Sequence, residues 1–260
     1  QEYLENSIEG FVAAGENGAE VVEFDIQISE DTIPVIFHDF FIERDVAKET
    51  KEECKRKDVI IDIQSEVFKQ TGFETKWHVP RPFYTDLMTQ LPPSLSFDIE
   101  LKYPLDRNVP YLERNAYVDL VLQETAKHMG DRRIFFSTFE PHVCAMVALK
   151  QSRWPVYQLA TKEDTESLEH WRDRVLSYAA IHKRTGVVGF VLNSQFLLET
   201  KELAQELINN GFIICTYGDP NNEPETILEQ LILGVRGICT DKVPIVRKVI
   251  DKFLSERLED

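Results

Sequence analysis

Apolar and polar residues alternate along the chain in short runs, and these are separated by longer runs with helical spacing. The clearest short run is EVVEFDIQI at 20–28, where Val22, Phe24, Ile26 and Ile28 share one face of a strand. Val21, Glu23, Asp25 and Gln27 share the other, because strand side chains alternate with period two. Further strands are predicted at 33–37 (after the turn residues Glu30 and Asp31), 95–101, 133–137, 155–159, 187–192, 212–217 and 236–240. Helices are predicted at 6–16, with Asn6 or Ser7 as cap, and at 112–128, 141–150, 167–183, 198–210, 224–233 and 244–257.

Strands separated by helices of this length imply parallel βαβ units. Leaving out the short 33–37 run, seven strands lie along the long axis, and the chain opens with a helix that precedes the first. The expected fold is an α/β (β/α)₈ TIM barrel whose first strand precedes residue 1. The competing doubly wound sheet carries a Gly-rich phosphate loop after its first strand. Neither GxGxxG nor GxxxxGK[ST] occurs here. Residues 43–80 break the rhythm, and the nearly all-charged ERDVAKETKEECKRKD reads as a solvated insertion.

In a parallel sheet both faces are normally covered, so Glu23 and Asp25 on one face need a purpose. SFDIELKYP repeats the pattern, with Asp98, Glu100 and Lys102 on one face and Phe97, Ile99 and Leu101 on the other. Two neighbouring strands of this kind supply a cluster of Glu23, Asp25 and Glu100. Such carboxylates repel one another strongly unless a divalent cation joins them. Lys102 would then meet a phosphate oxygen. His38 ends the apolar run IPVIF just after the acidic strand, and a histidine there is an acid–base candidate.

Composition narrows the partners. The 260 residues carry a formal net charge of -16, which argues against nucleic acid and against a standing place on an anionic membrane. A cation on the carboxylates reverses the sign locally, so a small phosphorylated substrate stays compatible. No apolar run approaches the ~18 residues of a transmembrane helix. Of the 4 cysteines, Cys144, Cys215 and Cys239 lie in apolar runs and read as buried free thiols. Without CxxC spacing, they suit a reducing, cytoplasmic compartment.

The stretch ENSIEGFVAAGENGAEVVEFDIQISEDTIPVIFHD resembles the opening of the glycerophosphodiester phosphodiesterase family. That opening runs Glu-Asn-Thr, an Ala-rich helix, Gly-Ala-Asp/Glu, a Glu-x-Asp strand, a short strand, then His-Asp. FDIELKYP is similar to the family's Glu-x-Lys strand, and FFSTF, ICTYGD and ICTDKVP fall where its later strand ends fall. FDIELKYP, FSTF and TYGDPNNEPE look closest to the eukaryotic cytosolic glycerophosphocholine branch.

The resemblance implies a barrel domain over residues 1–260 and a metal-dependent phosphoric diester hydrolase. It would split a glycerophosphodiester, glycerophosphocholine first among them, into glycerol 3-phosphate and an alcohol. It implies Mg²⁺ or Ca²⁺ on Glu23, Asp25 and Glu100, His38 as a catalytic histidine, and Lys102 as a phosphate contact. Glu5 matches a supporting acid, and Tyr217 falls where many relatives place a Trp near the glycerol. The family's His-Arg-Gly motif ends its first strand; it has no match in this chain, which is therefore read as an N-terminally truncated domain. The alternatives are a lysophospholipase D-like enzyme acting on a lipid, and a non-catalytic barrel if the first strand is truly absent.

Overall fold

The computed structural model describes residues 3–45, 55–72, 75–76 and 78–258. The chain divides into two compact units, Gln1–Gly15 with Glu20–Ile134, and Glu16–Ala19 with Phe135–Asp260.

The first unit opens with helix α1 (Ile8–Glu16). Ser7 caps it, its Oγ accepting from the Gly10 amide at 3.2 Å, so Asn6 is free for another task. Strand β1 (Val21–Ile28) runs parallel to β5 (Ser96–Leu101). The register sets Glu23 opposite Asp98 and Asp25 opposite Glu100. The apolar face of this pair is dry: the Phe24 ring meets Phe97 edge-on at 5.2 Å, with Phe11 and Tyr84 about it at 6.0 and 6.1 Å. Tyr84 opens helix α3 (Tyr84–Gln90), and its hydroxyl meets Thr125 on helix α4 (Arg114–His128) at 3.0 Å. Strand β2 (Pro34–Ile36) folds back antiparallel on the last three residues of β1, Ile26–Ile28.

The region of the charged insertion carries regular structure. It contains an antiparallel hairpin of β3 (Phe41–Asp45) and β4 (Lys55–Val59), a 3-10 turn at Ile60–Asp62 and helix α2 (Ser65–Thr71). Ile42, Ile60, Ile63 and Phe68, which flank the charged run 43–58, bury themselves with Val35, against Phe37 and Phe83. Four apolar side chains on either side of the run suffice for a small core. The middle of the run, 46–54, lies outside the described residues.

The second unit is regular. Strands β6 (Ile134–Thr138), β7 (Val156–Ala160), β8 (Gly189–Asn193), β9 (Ile213–Tyr217) and β10 (Gly237–Ile238) lie side by side, all parallel, in that order. Helices α5 (Pro141–Lys150), α6 (Leu168–His182), α7 (Ser194–Glu199), α8 (Lys201–Asn209), α9 (Pro224–Leu233) and α10 (Val243–Leu258) alternate with them. The helix expected at 198–210 is thus two. One face of the strands gives Phe190, Leu192 and Ile214 to a core with Trp171, Leu203 and Leu207. The other gathers Tyr157, Leu159 and Val191. Gly189 is required where it stands: a Cβ would lie 2.2 Å from the Ile213 carbonyl oxygen and 2.7 Å from the Tyr157 ring. Cys144 is buried as expected, but Cys215 is half-buried and Cys239 is exposed, because β10 ends at Ile238. Among the described residues no helix is long and apolar enough to cross a membrane.

Candidate functional site

The polar face of β1 and β5, in the first unit, carries the acids that the alternation pattern picks out. Glu23, Asp25 and Glu100 each turn one carboxylate oxygen inward, all within 4.8 Å of one another. Asp25 and Glu100 are buried, and Glu23 is half-buried. Glu23 Oε1 and Asp25 Oδ1 are buried with no hydrogen-bond partner. A buried acceptor left unmade costs about 1–3 kcal/mol, more when charged.

Lys102, also buried, reaches into the cluster. Its Nζ lies 3.0 Å from Glu100 Oε1 and 3.5 Å from Asp25 Oδ1. One cation does not neutralise three carboxylates. Burial, then the charges of Asp25, Glu100 and Asp98, hold the Glu23 carboxyl well above the usual range. Burial likewise raises Glu100 to about 7, with Lys102 pulling the other way and Asp25 adding to the rise. Burial opposes the charge on Lys102, yet Glu100 and Asp25 outweigh it and raise its pKa above the ordinary value. A compact group of hard oxygens with unmet acceptors suits a divalent cation of the Mg²⁺ or Ca²⁺ type.

His38 stands beyond β2, its side chain 58% exposed, with Nδ1 2.7 Å from Asp39 Oδ1. Its charge would act favourably on Glu100. Glu5 is exposed, and its charge acts on Arg81. Tyr217 belongs to the second unit, where it ends β9 half-buried and meets the Phe139 ring edge-on at 6.1 Å.

Three residues were not legible as parts of the site. Asn6 donates from Nδ2 to Asp25 Oδ2 at 2.9 Å, which fixes the carboxylate and leaves Oδ1 to face the cluster. Gln27, fully buried, donates from Nε2 to the carbonyls of Phe37 at 2.8 Å and Asp39 at 2.7 Å. Arg81 stacks over the Phe37 ring at 4.3 Å, and its Nε donates to Thr71 Oγ1 at 3.0 Å. Burial lowers its guanidinium to about 10, against the pull of Glu5 and Asp39. The signal for Gln27 was its place on the acidic face; Asn6 and Arg81 carried none beyond residue type.

Residues 1–244 match the Glycerophosphoryl diester phosphodiesterase family, and the chain belongs to that family. It is 28% identical to a glycerophosphocholine phosphodiesterase of Candida albicans, over 94% of this chain and 26% of that one. It is 29% identical to a chloroplastic glycerophosphodiester phosphodiesterase of Arabidopsis thaliana, over 98% of this chain and 76% of the other. The chain thus spans about a quarter of the fungal relative's length. Among solved structures it resembles an Oleispira antarctica phosphodiesterase in complex with the product sn-glycerol-3-phosphate, with a TM-score of 0.70 and 17% identity over 95% of this chain and 91% of that one. That likeness shows the fold, the α/β TIM-barrel fold of these phosphodiesterases.

Proposed function

We propose that this member of the glycerophosphoryl diester phosphodiesterase family hydrolyses a glycerophosphodiester to glycerol 3-phosphate and an alcohol, with glycerophosphocholine as the first substrate to test. The observation that carries the reading is the buried convergence of Glu23, Asp25 and Glu100 with unmet oxygens beside Lys102. Family membership and the names of the relatives support the substrate class. We propose a cytoplasmic location, since 4 cysteines without CxxC spacing suit a reducing compartment.

In this reading Glu23, Asp25 and Glu100 hold Mg²⁺ or Ca²⁺. When bound, the cation supplies Lewis-acid stabilisation of charge on the phosphoryl oxygens. Lys102 binds a phosphate oxygen and shares that load. An attacking hydroxyl, from water or from the substrate's own glycerol, forms the new P–O bond and releases its proton to solvent; where the glycerol attacks, water opens the resulting cyclic phosphate in a second step. The P–O bond to the alcohol breaks, and His38 gives its proton to the departing oxygen. Asn6 keeps Asp25 turned toward the cluster.

The test is choline release from glycerophosphocholine with and without EDTA. Release that EDTA stops and Mg²⁺ or Ca²⁺ restores is the expected result. No release from this or any other glycerophosphodiester, by folded protein with cation present, overturns the proposal.

A further inference from the structure

The face of β1 that carries Glu23 and Asp25 continues to Gln27, and this third residue makes contacts of another kind. Its amide nitrogen donates to the carbonyls of Phe37 and Asp39 at 2.8 and 2.7 Å, with the His38 carbonyl between them at 3.5 Å. Carbonyls only accept, so the end of the side chain that meets them is the donor, and an amide NH₂ has two protons to give. The two bonds straddle His38. The same loop is tied a second time from β1, where the Phe37 amide donates to the Asp25 carbonyl at 3.0 Å. Asp39 in turn takes His38 Nδ1 at 2.7 Å, which leaves Nε2 as the nitrogen for proton transfer.

Arg81, just past the insertion, closes the arrangement. Its guanidinium lies over the Phe37 ring, 4.3 Å from the centroid, its Nε is held by Thr71, and Asp39 and Glu5 are the carboxylates its charge acts on. The segment 79–81 passes so close to Gly72 that a Cβ there would lie 2.1 Å from the Val79 carbonyl oxygen and 2.7 Å from the Arg81 amide. Thus the residue before His38 is clamped by Arg81, and the carbonyls on either side of it by Gln27.

We infer that Gln27 is a positioning residue for His38: its two hydrogen bonds fix the Phe37–Asp39 loop so that the imidazole reaches the departing oxygen while Asp39 holds the other ring nitrogen. The inference rests on the reading of His38 as the proton donor given above. It separates Gln27 from Glu23 and Asp25, which share its face but bind the cation.

The test uses leaving groups. An alkoxide such as that of choline needs a proton to depart, whereas 4-nitrophenolate does not. Glycerophosphocholine and the 4-nitrophenyl diester of glycerol phosphate are compared in wild type, Gln27→Met, Gln27→Asn, Asp39→Ala and His38→Gln. Gln27→Met should lose about 10²-fold in kcat on glycerophosphocholine, the scale of a misplaced reacting group. Its loss on the nitrophenyl ester should stay within about threefold, and its calorimetric affinity for Mg²⁺ should match wild type. Asp39→Ala, at a 71% exposed side chain, tests the hold on the ring nitrogen. Gln27→Asn, which puts the amide on a shorter arm, keeps the test of Gln27 alive if Gln27→Met fails to fold. Both should show the same leaving-group selectivity. Selective loss in His38→Gln with uniform loss in the other variants overturns the inference alone. Uniform loss in His38→Gln overturns the proton-donor assignment, and this inference with it.

Discussion

Both units bury polar side chains, but the first gathers unmet carboxylate oxygens on one strand face, whereas the unmet atoms of the second, Trp171 Nε1 and Ser194 Oγ, belong to neutral groups. In the second unit Gln158 donates to the carbonyls of Thr138, Phe139 and Leu159 at 2.9–3.1 Å, and its Oε1 meets His182 Nε2 at 3.0 Å. Thr216, Asn221 and Gln230 likewise close a ring of bonds, anchored on the Cys239 carbonyl at 2.8 Å. In the first unit, Glu23, Asp25 and Gln27 each keep one buried oxygen with no hydrogen-bond partner. Satisfied buried polar groups rigidify a scaffold, whereas unsatisfied ones draw on its stability and persist where something outside the chain completes them. The contrast separates scaffold from site without any reference to relatives.

The sharpest way to break it is Glu100→Gln. If the carboxylates exist for a cation, kcat should fall at least about 10²–10³-fold, the scale of losing one electrostatic stabiliser. Unchanged turnover, measured as choline release, would sink the assignment. The same variant should gain stability without cation. The folded-state pKa of Glu100 is raised to about 7 by burial, so the favourable protonated form is full below its ordinary value and is lost as pH rises through 7. At pH 8 in EDTA, Glu100→Gln should therefore melt a few degrees above wild type, reduced by the weakened contact with Lys102. Adding Mg²⁺ at about 100 times its Kd should raise the wild-type stability by about 2.7 kcal/mol and move the variant far less. In contrast, Thr216→Val in the closed network leaves Gln230 Oε1 without its donor. It should cost about 1–3 kcal/mol while the Mg²⁺-dependent rise in Tm persists.

Why some of this was legible follows from how the contacts are made. Glu23, Asp25, Glu100 and Lys102 are fixed by period-two alternation on paired parallel strands, and the register that brings Asp25 opposite Glu100 needs only the strands to start level. The contacts of Gln27 depend on where the loop after β2 turns, ten to twelve residues later, and no local pattern encodes that path. Asn6 and Ser7 are both good caps by type. Only the folded chain divides the work, with Ser7 on the helix and Asn6 on Asp25. The charged run 43–58 drew the eye from the small core beside it, where Ile60, Ile63 and Phe68 recur at spacings that a short 3-10 turn and helix bring together. Cys239 sits in an apolar run whose strand is only two residues long, so it emerges into solvent.

The gentlest test of the contrast uses pH on the scaffold side. His182 is buried against Gln158, and burial lowers its pKa to about 4. A histidine depressed in the folded state is neutral in both states above about 6.5, so its contribution is then whole. Between about 6.5 and 4 the unfolded chain takes up the proton and the folded chain does not, and stability falls as pH falls. Per pH unit the loss is at most about 1.4 kcal/mol. Glu100 acts with the opposite sign over much of the same window, since its protonation favours the fold. The two are separated by melting Glu100→Gln from pH 7 to pH 4 in EDTA, with and without His182→Gln. The single variant should lose stability steadily across the window; the double variant should give a flatter line, because a glutamine at 182 keeps a donor for Gln158 and has nothing to titrate. Parallel lines would mean that His182 is charged in the fold, and that the second unit too buries an unmet charge.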